Sequence, residues 1–186
     1  IGKPPIQIHV SIQRLVGLTE ADWYGSLFRF LQDKLALLAP VDSFPLPTDG
    51  LTWGNLLTSI EERARAENRQ VLVILDNIGA ISTQWSTAFF ANIRYLYDEQ
   101  ANKRYLKQVT FVMVGTFDHR ALIKDGTSSP FVVSNWLSLA DFDMPQTKQL
   151  VAYLRLPEEQ TSALAERIFY WTDGQPYLNQ YLCRTL

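Results

Sequence analysis

The chain has 186 residues, 47% hydrophobic and 19% charged, a composition that folds around a core and excludes a disordered polypeptide. A formal charge of −2 and a pI near 5.7 give no electrostatic footprint for a nucleic-acid binder. Cys183 is the single cysteine, which excludes an intrachain disulfide. With no signal-peptide pattern and no 18-residue apolar run, the expectation is a cytoplasmic protein without a membrane partner.

Ile6–Ile12 alternates apolar and polar residues and predicts a strand, with His9 on its polar phase. Two histidines in the whole chain do not suggest a histidine-rich metal site, so His9 reads as a surface residue. Thr19-Glu-Ala-Asp22 has the form of a capping box. Trp23, Leu27, Phe30, Leu31 and Leu35 follow at helical spacing, predicting a helix to about Leu38. Three prolines and a glycine make residues 39–50 a loop, and a second amphipathic helix is expected over about Thr52–Asn68, with Trp53, Leu56, Leu57, Ile60 and Ala64 on one face.

The run Val71-Leu-Val-Ile-Leu75 ending on Asp76 predicts a strand covered on both faces, as in a parallel sheet. A carboxylate at the end of such a strand stands where open α/β sheets bind ligands, and in P-loop NTPases that position handles Mg²⁺. Asp in this place also serves simply as a turn residue or helix cap. A helix follows from about Ser82, with Trp85, Phe89, Phe90, Ile93, Leu96 and Tyr97 as a core-facing stripe fading over 100–104. Val109–Val114 is a second buried strand ending at Gly115-Thr116. A short helix over Asp118–Lys124, a turn-rich loop over Asp125–Pro130, and another strand including Asn135–Leu139 complete this part.

After Phe142 strand patterns cease. Asp143 caps one helix with Gln146 at its third position. Pro157 opens another, with Leu164, Ile168 and Trp171 on its apolar face and Gly174 to end it, and Pro176 opens a third. Residues 1–141 therefore read as an α/β core with a mostly parallel sheet in three layers, and 142–186 as a helical lid.

Several strings in this series carry a family resemblance: Val71–Ile78, Phe89-Phe-Ala-Asn-Ile-Arg94, Val109–Gly115, Ser129-Pro-Phe131 and Trp171-Thr-Asp-Gly-Gln-Pro-Tyr-Leu178. They resemble the bacterial AAA-like domain family, a STAND-type branch of the AAA+ P-loop NTPases. The resemblance implies a P-loop NTPase-like fold with ATP and Mg²⁺ as cofactors, Asp76 as the metal-handling residue, and Asn77 beside it. It places Gly115 and Thr116 at the end of the strand that senses the γ-phosphate. It places Gly174 and Pro176 in a Gly-x-Pro motif where the lid approaches the adenine. Without a nucleotide, Gly174 also serves as a helix C-cap, Pro176 as a first helical residue and Arg94 as an ion-pair residue.

Two departures from that pattern bear on function. The family's Asp-Glu pair is Asp76-Asn77 here, and an amide cannot act as a general base, so no catalytic residue is assigned. No Gly-x-x-x-x-Gly-Lys-Ser/Thr string occurs, and Lys3 is followed by Pro4, which offers no N–H to a phosphate. In the family the P-loop and its strand precede the stretch that begins here, that strand lying beside the Asp76 strand, so the chain reads either as a fragment of a longer protein or as a degenerate relative with a different sheet centre, and nucleotide binding is expected only with an intact upstream P-loop. Whether the chain is an enzyme stays open between two readings. One is a nucleotide-dependent switch acting on other protein chains or fused effector domains; the other is an interaction module that kept the fold without the chemistry. Cys183, far from either histidine in sequence, reads as a buried inert thiol.

Overall fold

The computed structural model describes residues 3–102, 108–117, 122–123 and 129–185, the side chains of 100–102 excepted. The chain divides into two compact units, Ile1–Asn135 and Trp136–Leu186. Most of the expected 118–124 helix, most of the 125–130 loop, and the end of the helix over 103–104 lie outside the described residues.

Three parallel strands form the sheet of the first unit: β1 (Ile6–Ser11), β2 (Val71–Asp76) and β3 (Val109–Met113), in the order β1-β2-β3. Ile6 is in register with Val71 and Val71 with Val109, so alternate residues of all three strands share a face. Ile6, Ile8, Val10, Val71, Val73, Leu75 and Val109 are buried on one face. They join the buried side chains of α1 (Glu20–Leu35), α2 (Gly50–Ala66) and α3 (Ser86–Asn102) in a single core. Phe89 of α3 is its centre: Trp53 stacks on it at 5.1 Å, and Trp23 meets it edge-on at 5.3 Å.

The opposite face corrects the expectation of a three-layer core. Gln7, His9, Thr110 and Val112 are exposed, Val112 to 41%, while Leu72 and Ile74 are half-buried. An unbroken apolar run implies cover on both faces only when helices lie on both. Among the described residues they cover one. A second correction concerns the expected first strand. Both edges of β2 are already hydrogen-bonded, to β1 and to β3, so no further strand can lie beside the Asp76 strand. An added strand would pair with the outer edge of β1 or β3.

Local chemistry explains most element boundaries. Thr19 caps α1 by accepting from the Asp22 N–H at 3.3 Å. The start of α2 lies at Gly50, two residues earlier than expected, because Asp49 and Thr52 form the reciprocal box there. The preceding loop still contains one 3₁₀ turn, Val41–Ser43. Gly50 and Gly54 let α2 approach α3 closely: a Cβ on either would fall within 2.6 Å of Ala88 or Asn92 atoms. Asn92 then donates to the Gly50 carbonyl at 2.8 Å. Along α3 the expected stripe is buried except at Tyr97, which reaches the surface.

The expected strand at Asn135–Leu139 is absent. Pro130–Val132 forms a 3₁₀ turn and residues 135–143 have no regular structure. Leu137 and Leu139 are 85% and 89% exposed, so apolar composition here does not reflect burial. The second unit contains α4 (Met144–Ala152), α5 (Glu158–Thr172) and α6 (Pro176–Thr185). Asp143 and Gln146 form the expected capping box. Its core is Val151, Ala165 and Ile168, with Leu164 and Cys183 packed against it, and burial raises the Cys183 thiol pKa. Trp171 is not part of this core. It is 65% exposed, its ring edge-on to Tyr170 and under the Arg167 guanidinium. The buried stripe of α5 is Thr161, Ala165, Ile168 and Thr172, rotated from the apolar one by the small residues that allow helices to pack closely.

One buried carboxylate joins helix to sheet. Glu61 of α2 is 4% exposed; its Oε2 accepts from the Val109 N–H at 3.0 Å, and its Oε1 lies 3.5 Å from Arg65. Glu61→Ala strands the first amide of β3 and is expected to lower unfolding free energy by about 3 kcal/mol in urea titration, Glu61→Gln by less.

Candidate functional site

Parallel strands all deliver their C-terminal ends to the same edge of a sheet, and the connecting turns gather there. Ser11 and Asp76 are register partners at the ends of β1 and β2. Asn77 follows in a left-handed conformation, φ 54° and ψ 42°, a region that Asn occupies more readily than most residues. This reversal turns the chain into the 3₁₀ turn Ile78–Ala80 and lets the Ile78 N–H donate to the Val114 carbonyl at 3.1 Å. Val114 in turn donates to Leu75 at 2.9 Å, so the ends of β2 and β3 are knitted beyond the ladder itself.

Asp76, Asn77 and Ser11 form one polar group. The Asp76 carboxylate accepts from the Asn77 N–H at 2.9 Å and from the Asn77 side-chain amide at 3.2 Å. The same amide lies 3.3 Å from the Ser11 hydroxyl. Gly115 packs against this turn; a Cβ there would lie 3.3 Å from the Ile78 nitrogen and 3.6 Å from the Asn77 Cα. Exposed Thr116 follows it, its carbonyl beside Gly79. Of the residues expected to form a site, the structure therefore brings together Asp76, Asn77, Gly115 and Thr116. Ser11 joins them through the parallel register, which its position at the end of a polar-alternating strand did not reveal.

Gly174 and Pro176 belong to the second unit, where their partners are residues of that unit. Gly174 has φ +82°, and a Cβ on it would fall 1.9 Å from the Phe142 carbonyl oxygen. Its own carbonyl accepts from the Phe142 N–H at 2.8 Å. The Thr172 hydroxyl accepts from the Gly174 N–H at 3.3 Å and from the Asn179 amide at 3.0 Å, while donating to Ile168 at 2.8 Å. The Gln175 side chain receives the Leu178 N–H at 2.6 Å, and Pro176 opens α6. The string therefore builds the turn between α5 and α6.

Arg94 is likewise held structurally. Its Nε lies 2.8 Å from the Asp98 carboxylate and its Nη1 donates to the Ser129 carbonyl at 3.3 Å. Phe90, on the same helix, packs on Phe131 at 5.1 Å. Two of the strings quoted above, 89–94 and 129–131, are thus two sides of one contact.

A Mg²⁺ ion is held by one or two carboxylates together with phosphate oxygens and waters. Asp76 supplies one carboxylate at this edge, and no group of three His, Cys, Asp or Glu capable of holding a metal occurs among the described residues. Among the described residues, this edge therefore offers a single carboxylate to a metal, which matches the share a protein contributes when phosphate oxygens and waters complete the coordination. No helix among the described residues is long and apolar enough to cross a membrane.

Comparison with known proteins defines the class: the AAA-like domain family matches residues 57–185, which include β2, β3 and the three helices of the second unit. The chain belongs to the AAA-like domain family. It is also 29% identical over 118 residues to an uncharacterised WD repeat-containing protein, slr0143, of Synechocystis sp.. The match takes in 62% of this chain and 10% of that protein, so the chain spans about a tenth of its relative's length. No solved structure matches the chain.

Two substitutions separate backbone demand from chemistry. Asn77→Glu forces a residue poorly suited to the left-handed region and adds a carboxylate beside Asp76, so a loss of about 1 kcal/mol in stability is expected, while Asn77→Gly stays near neutral. Gly174→Ala must displace the Phe142 backbone and is expected to cost about 2–4 kcal/mol. Hydrogen exchange at the Phe142 amide, measured alongside, should lose its protection in this variant.

Proposed function

We propose that this AAA-like domain is a nucleotide-dependent switch of the STAND type, with little or no hydrolysis of its own. The observation that supports it most is the convergence of Asp76, Asn77 and Thr116 at the C-terminal ends of adjacent parallel strands. Mg²⁺ brought by ATP would supply charge neutralisation for the phosphates. Asp76 would hold that ion, directly or through water, and the Thr116 hydroxyl would hydrogen-bond the terminal phosphate or a water beside it. Asn77 can orient water but takes no proton, and loss of a general base costs about 10²–10⁴ in rate. Nucleotide would then persist and its occupancy would carry the signal.

A second reading, a non-catalytic interaction module, is favoured by one specific feature. Both Asp76 oxygens already accept hydrogen bonds from Asn77, so the group is satisfied without a ligand. The WD repeat-containing relative suits either reading, since a switch or a scaffold could be fused to a repeat-built surface.

Calorimetry of the natural full-length polypeptide with ATP decides between them. The switch reading expects Mg²⁺-dependent binding that Asp76→Ala weakens at least tenfold, with phosphate release from wild type at the blank rate. Absence of Mg²⁺-dependent ATP binding leaves the interaction-module reading. Robust turnover abolished by Asp76→Ala would instead show that a base other than residue 77 operates.

A further inference from the structure

Main-chain groups of β3 alternate between the β2 side and the outer edge of the sheet. The Gln108 carbonyl accepts from Val71 at 2.7 Å and Val114 donates to Leu75 at 2.9 Å, so residues of even number face β2. Those of odd number face outward, as the Val109 N–H does toward Glu61. Phe111 and Met113 therefore direct their N–H and C=O groups away from the sheet, and no described residue hydrogen-bonds them there.

Such an edge is ordinarily protected by a charge, a proline or a bulge. The run Val109–Val114 has no charged residue and no proline, and the β3 pairing with β2 is unbroken. The side chains beside the edge are also only partly covered. Phe111 and Met113 are half-buried on the helix side, while Val112 and Val114 on the open face are 41% and 45% exposed. The outer edge of β1 differs, because its exposed side chains are Gln7 and His9, and a strand added there would cover polar groups.

We propose that the β3 edge pairs antiparallel with the same edge of a second copy of this chain, about a two-fold axis at Val112. An edge without charge does not repel its own copy, and a two-fold axis makes one patch its own complement. Centring at Val112 sets Phe111 opposite Met113 of the second copy. Both direct their main-chain groups outward, so each such pair exchanges both of its hydrogen bonds. Centring at Phe111 instead would set Met113 against Val109, whose N–H is committed to Glu61. The two Val112 side chains then meet on the open face, at the non-hydrogen-bonded position where side chains approach closest. On the helix side the Met113 thioether lies against the Phe111 ring. One strand and its side chains cover less than the roughly 1,200 Å² of a standard interface, which makes the association weak and reversible. The pairing joins two three-stranded sheets into one, with the two Asp76 edges at its opposite ends. None of the seam hydrogen bonds involves Asp76, Asn77 or Thr116, so the pairing is independent of nucleotide.

Sedimentation of the 186-residue chain between about 5 and about 500 µM should show a reversible monomer–dimer equilibrium. Amide exchange at Phe111 and Met113 should slow as concentration rises, while that at Val112 and Val114, which face β2, stays unchanged. Val112→Lys and Val112→Glu each set like charges opposite one another at the axis and should weaken association about tenfold. An equimolar mixture of the two variants should recover it at low salt, because lysine then faces glutamate. Val112 is exposed, and unchanged near-UV circular dichroism checks that each variant keeps its fold. A chain that stays monomeric at every concentration overturns the pairing, as does a dimer indifferent to both variants. Protection of Phe111 and Met113 already at the lowest concentration also overturns it, since a segment of the same chain would then cover the edge. Failure of the mixed variants to recover association overturns the axis at Val112.

Discussion

The structure depends first on β2 being hydrogen-bonded along both edges, in register, to parallel neighbours. That single arrangement fixes which side chains of all three strands face the helices, because side chains alternate with period 2. It also fixes the edge that carries the candidate site. Ser11, Asp76 and the Val114–Thr116 stretch become neighbours only because three strands run the same way and end together. A one-residue slip of β3 would turn Val109 outward and leave the Glu61 carboxylate without the amide it accepts. The buried carboxylate and the apolar face therefore specify the same register by different physics, one by hydrogen bonding and one by burial.

Sequence pattern revealed what local chemistry decides. The capping residues Thr19 and Asp143, the strands on either side of α3, and the core stripes of α1 and α2 were legible because each has a short-range cause. The errors fall where the cause is nonlocal. Cover over the second sheet face depends on which helices pack where, so the apolar runs of β2 and β3 looked alike although Val112 is exposed. Asn135–Leu139 has strand composition but no burial to enforce it. In α5 the apolar periodicity pointed to Trp171, whereas close packing selected Ala165 and Thr172. Small and polar residues at a tight interface are invisible to a hydrophobicity pattern.

The candidate site was legible in part for the same reason. Asp76 ends an apolar strand, and Thr116 follows the next such strand, so both could be placed at a strand end from sequence. Ser11 could not, because its neighbour in space is 65 positions away in the chain and is set by register. The strings that most resemble the AAA-like family prove to be contacts of the fold: 89–94 against 129–131, and 171–178 folded into one turn. A shared string of this kind carries information about architecture first. It bears on a ligand only where its polar atoms are left over after the fold has used them, and in the 172–179 turn the Thr172 hydroxyl and Gln175 carbonyl groups are already engaged.

Asn77 shows how architecture and chemistry constrain each other at one position. The left-handed backbone at 77 is what brings Ile78 back to the Val114 carbonyl and ties β2 to β3 past the end of the ladder. Asn fits that conformation, and its amide reaches both Asp76 and Ser11. A glutamate at 77 could offer a base, yet it would have to occupy an unfavourable backbone region with its charge beside that of Asp76. The turn that secures the sheet edge thus favours an amide where catalysis would favour a carboxylate. Under the proposed switch reading, such an architecture would hold Asp76 and Asn77 in place while lacking a general base at residue 77.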